Sequence, residues 1–323
     1  MQRTGTIKIG TRGSPLALKQ VEMVRGALAQ ARPELQSEVV VIKTSGDWRP
    51  EDGEARLSAE EGGKGLFAKE IEQALMSGKI DAAVHSMKDM ESVLPPALTI
   101  AHMLPREDAR DVLIVSDPSA KISSLDDLPK GARVGTASVR REAILKSLRP
   151  DLEIVPLRGN VQTRIQKCRD GQVDATLLAH AGLKRLGLEH EIACILETDH
   201  MVPSAGQGAV GIEVRFDDKN TLSVFSQISC NQTLKRVTAE RSVLRELDGS
   251  CHTPIGVYAV FEGDLMHLRA QIWSLDGMRT FSENKSAKIA NVDDAIAFGR
   301  EVGSALREKT PEDILNYILP EGA

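Results

Sequence analysis

Two stretches of this chain repeat one chemical pattern. Ile7-Lys8-Ile9-Gly10-Thr11-Arg12-Gly13-Ser14-Pro15 and Arg133-Val134-Gly135-Thr136-Ala137-Ser138-Val139-Arg140-Arg141 each pass from a short β-branched run through Gly-Thr to a serine, then into a helical pattern. Such a turn aims unsatisfied backbone N–H groups and the positive end of a helix at one point, which suits an anion. Arginines stand on the same turns. A third turn, Leu157-Arg158-Gly159-Asn160-Val161-Gln162-Thr163-Arg164, offers Asn160 as an N-cap, with Arg158 before it and Arg164 one turn into the helix. Arg185 lies on the helix after the run Val173 to Ala179. Arginine stays charged and grips carboxylates through two parallel hydrogen bonds. Arg140 and Arg141 are adjacent, so helix geometry points them about 100° apart. For any one arginine, pairing with Glu142, Asp151 or Asp174 is the plainer reading. Six on successive strand ends and helix starts favour a small polyanionic ligand.

Two further segments carry reactive groups. His85-Ser86-Met87-Lys88-Asp89 directly follows an apolar run ending at Val84. In open α/β sheets ligands sit at the carboxyl ends of strands, so Lys88 and Asp89 are well placed, although a surface Lys-Asp pair would look the same. Cys251 stands in Leu247-Asp248-Gly249-Ser250-Cys251-His252-Thr253-Pro254, a setting of small residues that reads as an accessible loop between helix and strand. Cys168 and Cys194 lie on regular patterns and read as buried small apolar residues. No cysteine pair has Cys-x-x-Cys spacing, which speaks against zinc and thiol-redox chemistry. Met201 to Gly211 is glycine-rich but lacks phosphate-loop and dinucleotide spacing; it reads as a hinge or a turn entering a strand, Val210 to Val214, where the chain crosses back to its first domain.

Composition narrows the classes. The net charge is −5 and 3% of residues are aromatic, which argues against a general nucleic-acid or membrane-surface binder and against base-stacking platforms. No basic start followed by an apolar segment is visible, and no run of about 18 apolar residues exists. The expectation is a cytoplasmic protein with reduced thiols, no membrane partner and no metal. With no long heptad, a monomer is expected.

These groups need elements to hold them. Thr6 to Thr11 reads as a strand, followed by a helix with Ser14 as cap, Pro15 in its first turn and Ala17, Val21, Val24, Leu28 and Ala31 on one face. Glu38 to Thr44 is a second strand. Asp47 to Gly63 is charged and aperiodic, a loop long enough to be functional. A helix from about Leu66 ends at Gly78, and Ile80 to Val84 reads as a buried parallel strand. From Val112 onward strands and helices alternate again through Ala179, which implies a second, mostly parallel sheet. After about Ser229 come a helix, three alternating strands and two more helices, an α+β unit. The expected domains are 1–104 with 205–226, then 105–204, then 227–323.

The ordered set of segments resembles the hydroxymethylbilane synthase (porphobilinogen deaminase) family. It runs through Thr11 to Ala17, Gly62-Gly63-Lys64-Gly65-Leu66-Phe67, His85 to Asp89, Gly135 to Arg141, Leu157 to Arg164, Ala181 to Gly187, Gly206 to Ala209 and Asp248 to Cys251. The resemblance implies two α/β domains like the lobes of periplasmic binding proteins facing a cleft, plus a small α+β C-terminal domain. It implies a dipyrromethane cofactor joined by a thioether to Cys251. It also implies head-to-tail condensation of four porphobilinogen molecules with loss of ammonia, and hydrolytic release of hydroxymethylbilane. By the same resemblance Asp89 is catalytic, steadying the cationic azafulvene left when ammonia departs. Ser86, Lys88, Asp89, Thr136, Ser138, Arg140, Arg141, Arg158, Gly159 and Gln207 would bind the cofactor. Arg12, Ser14, Lys64, Phe67, Arg164 and Arg185 would bind substrate, whose acetate and propionate groups suit the arginines. Glu60 and Glu61 stand where many members have a lysine, leaving Lys64 as that loop's candidate. Two other readings compete: a non-catalytic two-lobed binder of a polycarboxylate, which leaves Cys251 and the third domain unexplained, and a phosphate-handling transferase, which lacks a phosphate loop.

Overall fold

The computed structural model describes residues 5–45, 68–249 and 253–318. The loop expected over Asp47 to Gly63, together with Lys64, Phe67 and Cys251, lies outside the described residues.

The first unit contains β1 (Thr6–Thr11), α1 (Pro15–Ala31), β2 (Gln36–Val41), α2 (Lys69–Met76), β3 (Ala82–Ser86) and β4 (Leu98–Met103). The second contains β5 (Asp111–Val115), β6 (Arg133–Gly135), α3 (Val139–Leu148), β7 (Glu153–Val155), α4 (Val161–Arg169), β8 (Ala175–Ala179), α5 (His180–Leu186) and β9 (Cys194–Leu196). The chain then returns as β10 (Val210–Arg215) and α6 (Lys219–Ser226), before α7 (Asn231–Glu246), β11 (Ile255–Glu262), β12 (Leu265–Trp273), β13 (Thr280–Lys288), α8 (Val292–Lys309) and α9 (Glu312–Ile318).

The two five-stranded sheets share one plan. Their orders are β2-β1-β3-β10-β4 and β7-β6-β8-β5-β9. In each, three strands linked through helices run parallel, and a strand at one end of a crossover is inserted antiparallel in fourth place: β10 between β3 and β4, and β5 between β8 and β9. Four of the five strands in each sheet therefore run the same way, in keeping with a mostly parallel sheet, and the one inserted strand makes each sheet mixed. Alternation of strand and helix along the sequence identifies the parallel core but carries no record of strands delivered by a crossover. The third unit is an antiparallel β11-β12-β13 sheet covered by α7 and α8.

Local chemistry sets the turns that matter. Ser14 Oγ accepts from Ala17 N at 3.3 Å and Pro15 opens α1; Ser138 Oγ accepts from Arg141 N at 3.4 Å; Asn160 Oδ1 accepts from Thr163 N at 2.9 Å. Separate apolar clusters hold the units. Ile7, Ile9, Val84, Ile212 and Phe225 lie in the first, and Leu113, Val134, Ile144 and Leu177 in the second. Trp273 of β12 also enters the second cluster, fastening the third unit to it. A smaller cluster joins Met87, Met90 and Met103 of the first unit to Ala209 of the crossover and Val237 of α7. Helices α1 and α5 pack together, so the first two units meet along them.

Candidate active site

The sequence-predicted groups gather where strands end. Arg12 and Ser14 follow β1; Ser86, Lys88 and Asp89 end β3 or follow it; Thr136 and Ser138 follow β6; Arg158 and Gly159 follow β7; Arg185 lies on the helix after β8. All but Arg185, which stands in the last turn of α5, are at carboxyl ends of parallel strands, where an open sheet leaves a crevice. A cavity at this end draws walls from every unit: Lys88 and Met90 from the first, Ser138 and Arg140 from the second, Ser204 from the crossover, Arg241 and Thr253 from the third. Thr253 stands two residues from Cys251.

The second sheet's arginines are already engaged. Arg140 Nη2 donates to Asp111 Oδ2 at 2.7 Å and its Nη1 to Val202 O at 2.6 Å. Arg141 Nη2 donates to Asp111 Oδ1 at 2.7 Å and its Nη1 to Leu177 O at 2.7 Å. Although they leave α3 in different directions, the two guanidiniums converge on one carboxylate. The partner is Asp111, not Glu142, Asp151 or Asp174; those three pair with Lys146, Arg149 and Arg133. Asp111 is fully buried. Its burial alone would raise the carboxyl pKa, but the two guanidiniums outweigh it and hold the group far below the usual carboxylate range. Gln207 completes the knot, its Nε2 donating to Asp111 Oδ1 at 3.0 Å and to Ala109 O at 2.6 Å. Arg141 and Gln207 thus face Asp111. Arg140 lines the cavity and keeps a buried Nε with no hydrogen-bond partner.

Other basic groups brace backbone. Arg164 Nε donates to Gly159 O at 2.7 Å, closing the turn where Gly159 takes φ 119°. Arg158 is buried, and its carbonyl accepts from Lys167 Nζ at 3.0 Å. Arg185 Nη2 donates to Gly208 O at 2.6 Å, while its Nε is buried without a partner. Thr136 is buried and its Oγ1 accepts from Ser138 N at 3.1 Å. Ser86 Oγ accepts from Gln20 Nε2 at 2.7 Å.

Lys88 and Asp89 differ from these. Neither side chain makes a hydrogen bond or ion pair among the described residues. Lys88 is half-buried by surface, yet its ammonium sits deep among protein atoms. Burial is the main cause that draws its pKa down to about 8; Asp89 and Asp111 pull it back up, and Arg141 and Arg164 push it further down. A lysine left without a carboxylate partner beside two guanidiniums marks a place that an anion completes.

Sequence reading missed three buried organisers. Asp111 gives no signal, since an acid beginning an apolar strand reads as a loop residue. Glu240 does give one: it interrupts the apolar face formed by Val237, Val243 and Leu247 of α7. It receives Arg106 Nη1 at 2.6 Å, Gly206 N at 2.7 Å and Ala259 N at 2.8 Å, tying both crossovers to β11. Arg241 likewise lies on the buried side of α7. Cys168 and Cys194 are buried, as expected, and burial pushes the Cys168 thiol up to about 11.

Comparison with known proteins decides the family. Residues 7–223 match the model described as porphobilinogen deaminase, dipyromethane cofactor binding domain, and residues 234–308 match the porphobilinogen deaminase C-terminal domain. The chain belongs to the porphobilinogen deaminase family. It is 47% identical over 306 residues to porphobilinogen deaminase of Nitrobacter hamburgensis, covering 94% of this chain and 93% of that protein. It is 45% identical over 313 residues to the Paracoccus denitrificans protein, covering 96% of each. Solved structures with looser overall likeness include the BvgS VFT2 domain of Bordetella pertussis (TM-score 0.42, 15% identity, 69% of this chain and 86% of that one) and a putative sulfonate-binding SsuA of Methylobacillus flagellatus (TM-score 0.40, 16% identity, 77% and 69%). The family assignment rests on the sequence matches. Enzymes of this family condense porphobilinogen into hydroxymethylbilane in tetrapyrrole biosynthesis, and the domain spanning residues 7–223 is the one that holds dipyrromethane.

The residues present fit that cofactor. An acetate- and propionate-bearing dipyrrole needs cations with spare donors, and Lys88 together with the buried Nε of Arg140, both on the cavity wall, would supply them.

Proposed function

We propose that Cys251 anchors the dipyrromethane and that Asp89 is the catalytic carboxylate of hydroxymethylbilane synthesis. One observation supports the reading: Lys88, adjacent to Asp89 and like it without a hydrogen bond or ion pair among the described residues, lines the same cavity as Thr253, two positions from Cys251 in the sequence. When bound, the dipyrromethane supplies the pyrrole carbon to which incoming units are joined. Lys88, Arg140 and Arg158, with Ser86, Thr136, Ser138 and the Gly159 turn, hold its carboxylates by charge-assisted hydrogen bonds. Arg141 and Gln207 act one step back, by fixing Asp111 and through it Arg140. Arg12, Ser14, Lys64, Phe67, Arg164 and Arg185 receive the incoming porphobilinogen. As ammonia leaves porphobilinogen, cationic charge develops on the substrate; the half-buried Asp89 carboxylate offsets it and can accept the proton released on coupling.

The reading extends to a monomer acting in the cytoplasm without nucleic-acid or membrane partners, supported by the acidic composition and by the lack, among the described residues, of any helix long and apolar enough to cross a membrane. It takes 1–104 with 205–226, 105–204 and 227–323 as its domains, supported by β10 joining the first sheet. Intact mass spectrometry beside a Cys251→Ser variant tests the anchor. Wild type should exceed the bare chain by two linked pyrrole units and the variant should not; an equal excess in both would refute Cys251.

A further inference from the structure

Arg241 is a buried guanidinium that makes no ion pair among the described residues. It spends its donors on the backbone just after Asp89. Nη1 donates to Met90 O at 3.1 Å, and Nη2 donates to Glu91 O and, at 3.5 Å, to Ser92 O. Arg245, one turn further along α7, donates to Ser92 O at 2.9 Å. Between them α7 holds three successive carbonyls of the segment that leaves the Lys88–Asp89 turn. Val237 of the same helix packs in the cluster containing Met87 and Met90, which bracket that turn.

This arrangement is costly. Burial, and then the like charge of Arg245, draw the Arg241 pKa down to about 10; a methionine of similar length would fill the space with no desolvation loss. What a methionine lacks is directed hydrogen bonding to three carbonyls. The other end of α7 explains why direction matters. The helix ends at Glu246, its C-terminus held by Arg307 Nη1 donating to Glu246 O at 2.8 Å, and the chain passes through Asp248 and Gly249 to Cys251. From Arg241 to Glu246 is about 7.5 Å of rigid helix. One rigid, firmly held helix therefore grips the segment after Asp89, and Arg241 also lines the cavity that Lys88 and Met90 line.

We propose that Arg241 is a positioning residue for the reaction: through the Met90–Ser92 carbonyls it fixes the turn that carries Asp89, and with it the Asp89 carboxylate, against α7. The inference rests on Asp89 being the catalytic carboxylate and is tested separately from it. Four proteins are compared as full chains: wild type, Asp89→Asn, Arg241→Gln and the double variant, with Arg241→Lys as the milder change should Arg241→Gln fold poorly. Intact mass reports whether the cofactor is attached, and hydrogen exchange reports amide protection across residues 87–92.

Arg241→Gln should keep the cofactor mass and a KM for porphobilinogen within about threefold, lose at least about tenfold in kcat, and exchange the 87–92 amides faster. Arg241→Lys should lie between it and wild type. In the Asp89→Asn background the further loss from Arg241→Gln should be less than about twofold, because a residue acting through Asp89 has nothing left to position. A full tenfold loss in both backgrounds, or unchanged kcat with unchanged exchange, overturns the proposal. Near wild-type kcat in Asp89→Asn itself would instead overturn the catalytic reading on which the proposal rests.

Discussion

The two five-stranded sheets share a strand order but treat charge at their strand ends in opposite ways. In the second sheet every basic group near the cleft whose contacts are described is tied into protein. Arg140 and Arg141 share Asp111, Gln207 adds a hydrogen bond to the same carboxylate, and Arg164 and Arg185 hold carbonyls. In the first sheet the turn after β3 presents Lys88 and Asp89 without protein partners among the described residues. The difference separates two tasks. Recognition of carboxylates benefits from donors whose direction is fixed before the ligand arrives, because less ordering remains at binding. Proton transfer and stabilisation of developing charge need groups whose electrostatic environment changes during the reaction, so they are left without internal partners. On the roles proposed for Arg140 and Asp89, one repeated architecture supplies a stiff wall and a responsive one.

The comparison is broken most directly at Asp89. Asp89→Asn keeps size and removes charge; kcat should fall at least about 100-fold while the fold is retained, as steady-state assay and thermal melting will report. A change confined to KM would make the β3 turn a second binding wall. Next in size is Asp111→Asn, which leaves two buried guanidiniums without their counter-charge. A loss of about 3–5 kcal/mol in denaturant unfolding is expected. A loss below about 1 kcal/mol would mean that the second sheet is not held by this knot. Gly208→Ala addresses the crossover between the walls. Gly208 has φ 85°, and an added Cβ would run into the Glu107 carbonyl, so a cost of about 1–3 kcal/mol is expected in the same measurement.

The smallest effect concerns pH. The Lys88 pKa of about 8 lies below its ordinary 10.5, so between these values the unfolded chain binds more protons and this group's contribution to stability rises with pH. A carboxylate ligand acts in the opposite sense, since it favours the charged ammonium and lifts its pKa. Above pH about 8 binding must therefore bring in a proton, and apparent affinity falls by up to about tenfold per pH unit. The porphobilinogen concentration needed to load the cofactor onto the apoprotein, followed by intact mass from about pH 7 to 9.5, should rise accordingly, and Lys88→Met should flatten the profile at a higher concentration. A wild-type profile that is already flat would show that Lys88 does not meet a carboxylate.

Much of this could be read from the chain, and the gaps have physical causes. α3 is read correctly because Ser138 caps it and Arg149-Pro150 stops it, both local signals. The three strands of the third unit are read because one face is buried and alternation survives, with small shifts at their ends. β4 and β9 escape notice. β9 is three residues long, and β4, at a sheet edge, buries too few successive residues to leave an apolar run. The candidate site residues are legible as residue types at strand ends, and their partners are not. Arg140 and Arg141 announce an anion, but that one anion is Asp111, 30 positions before Arg141, depends on a crossover that no local pattern encodes.

That crossover also dictates an order of events during synthesis. β4 pairs within its sheet only with β10, whose last residue, Arg215, is made more than 100 residues after Met103. The second sheet has all five strands once Leu196 has been added. On the ribosome, then, the lobe translated second closes first, and the N-terminal lobe waits with β4 unpaired until β10 emerges. A nascent chain stalled with residue 200 outside the exit tunnel should protect the second lobe from protease while leaving Leu98–Met103 open to cleavage.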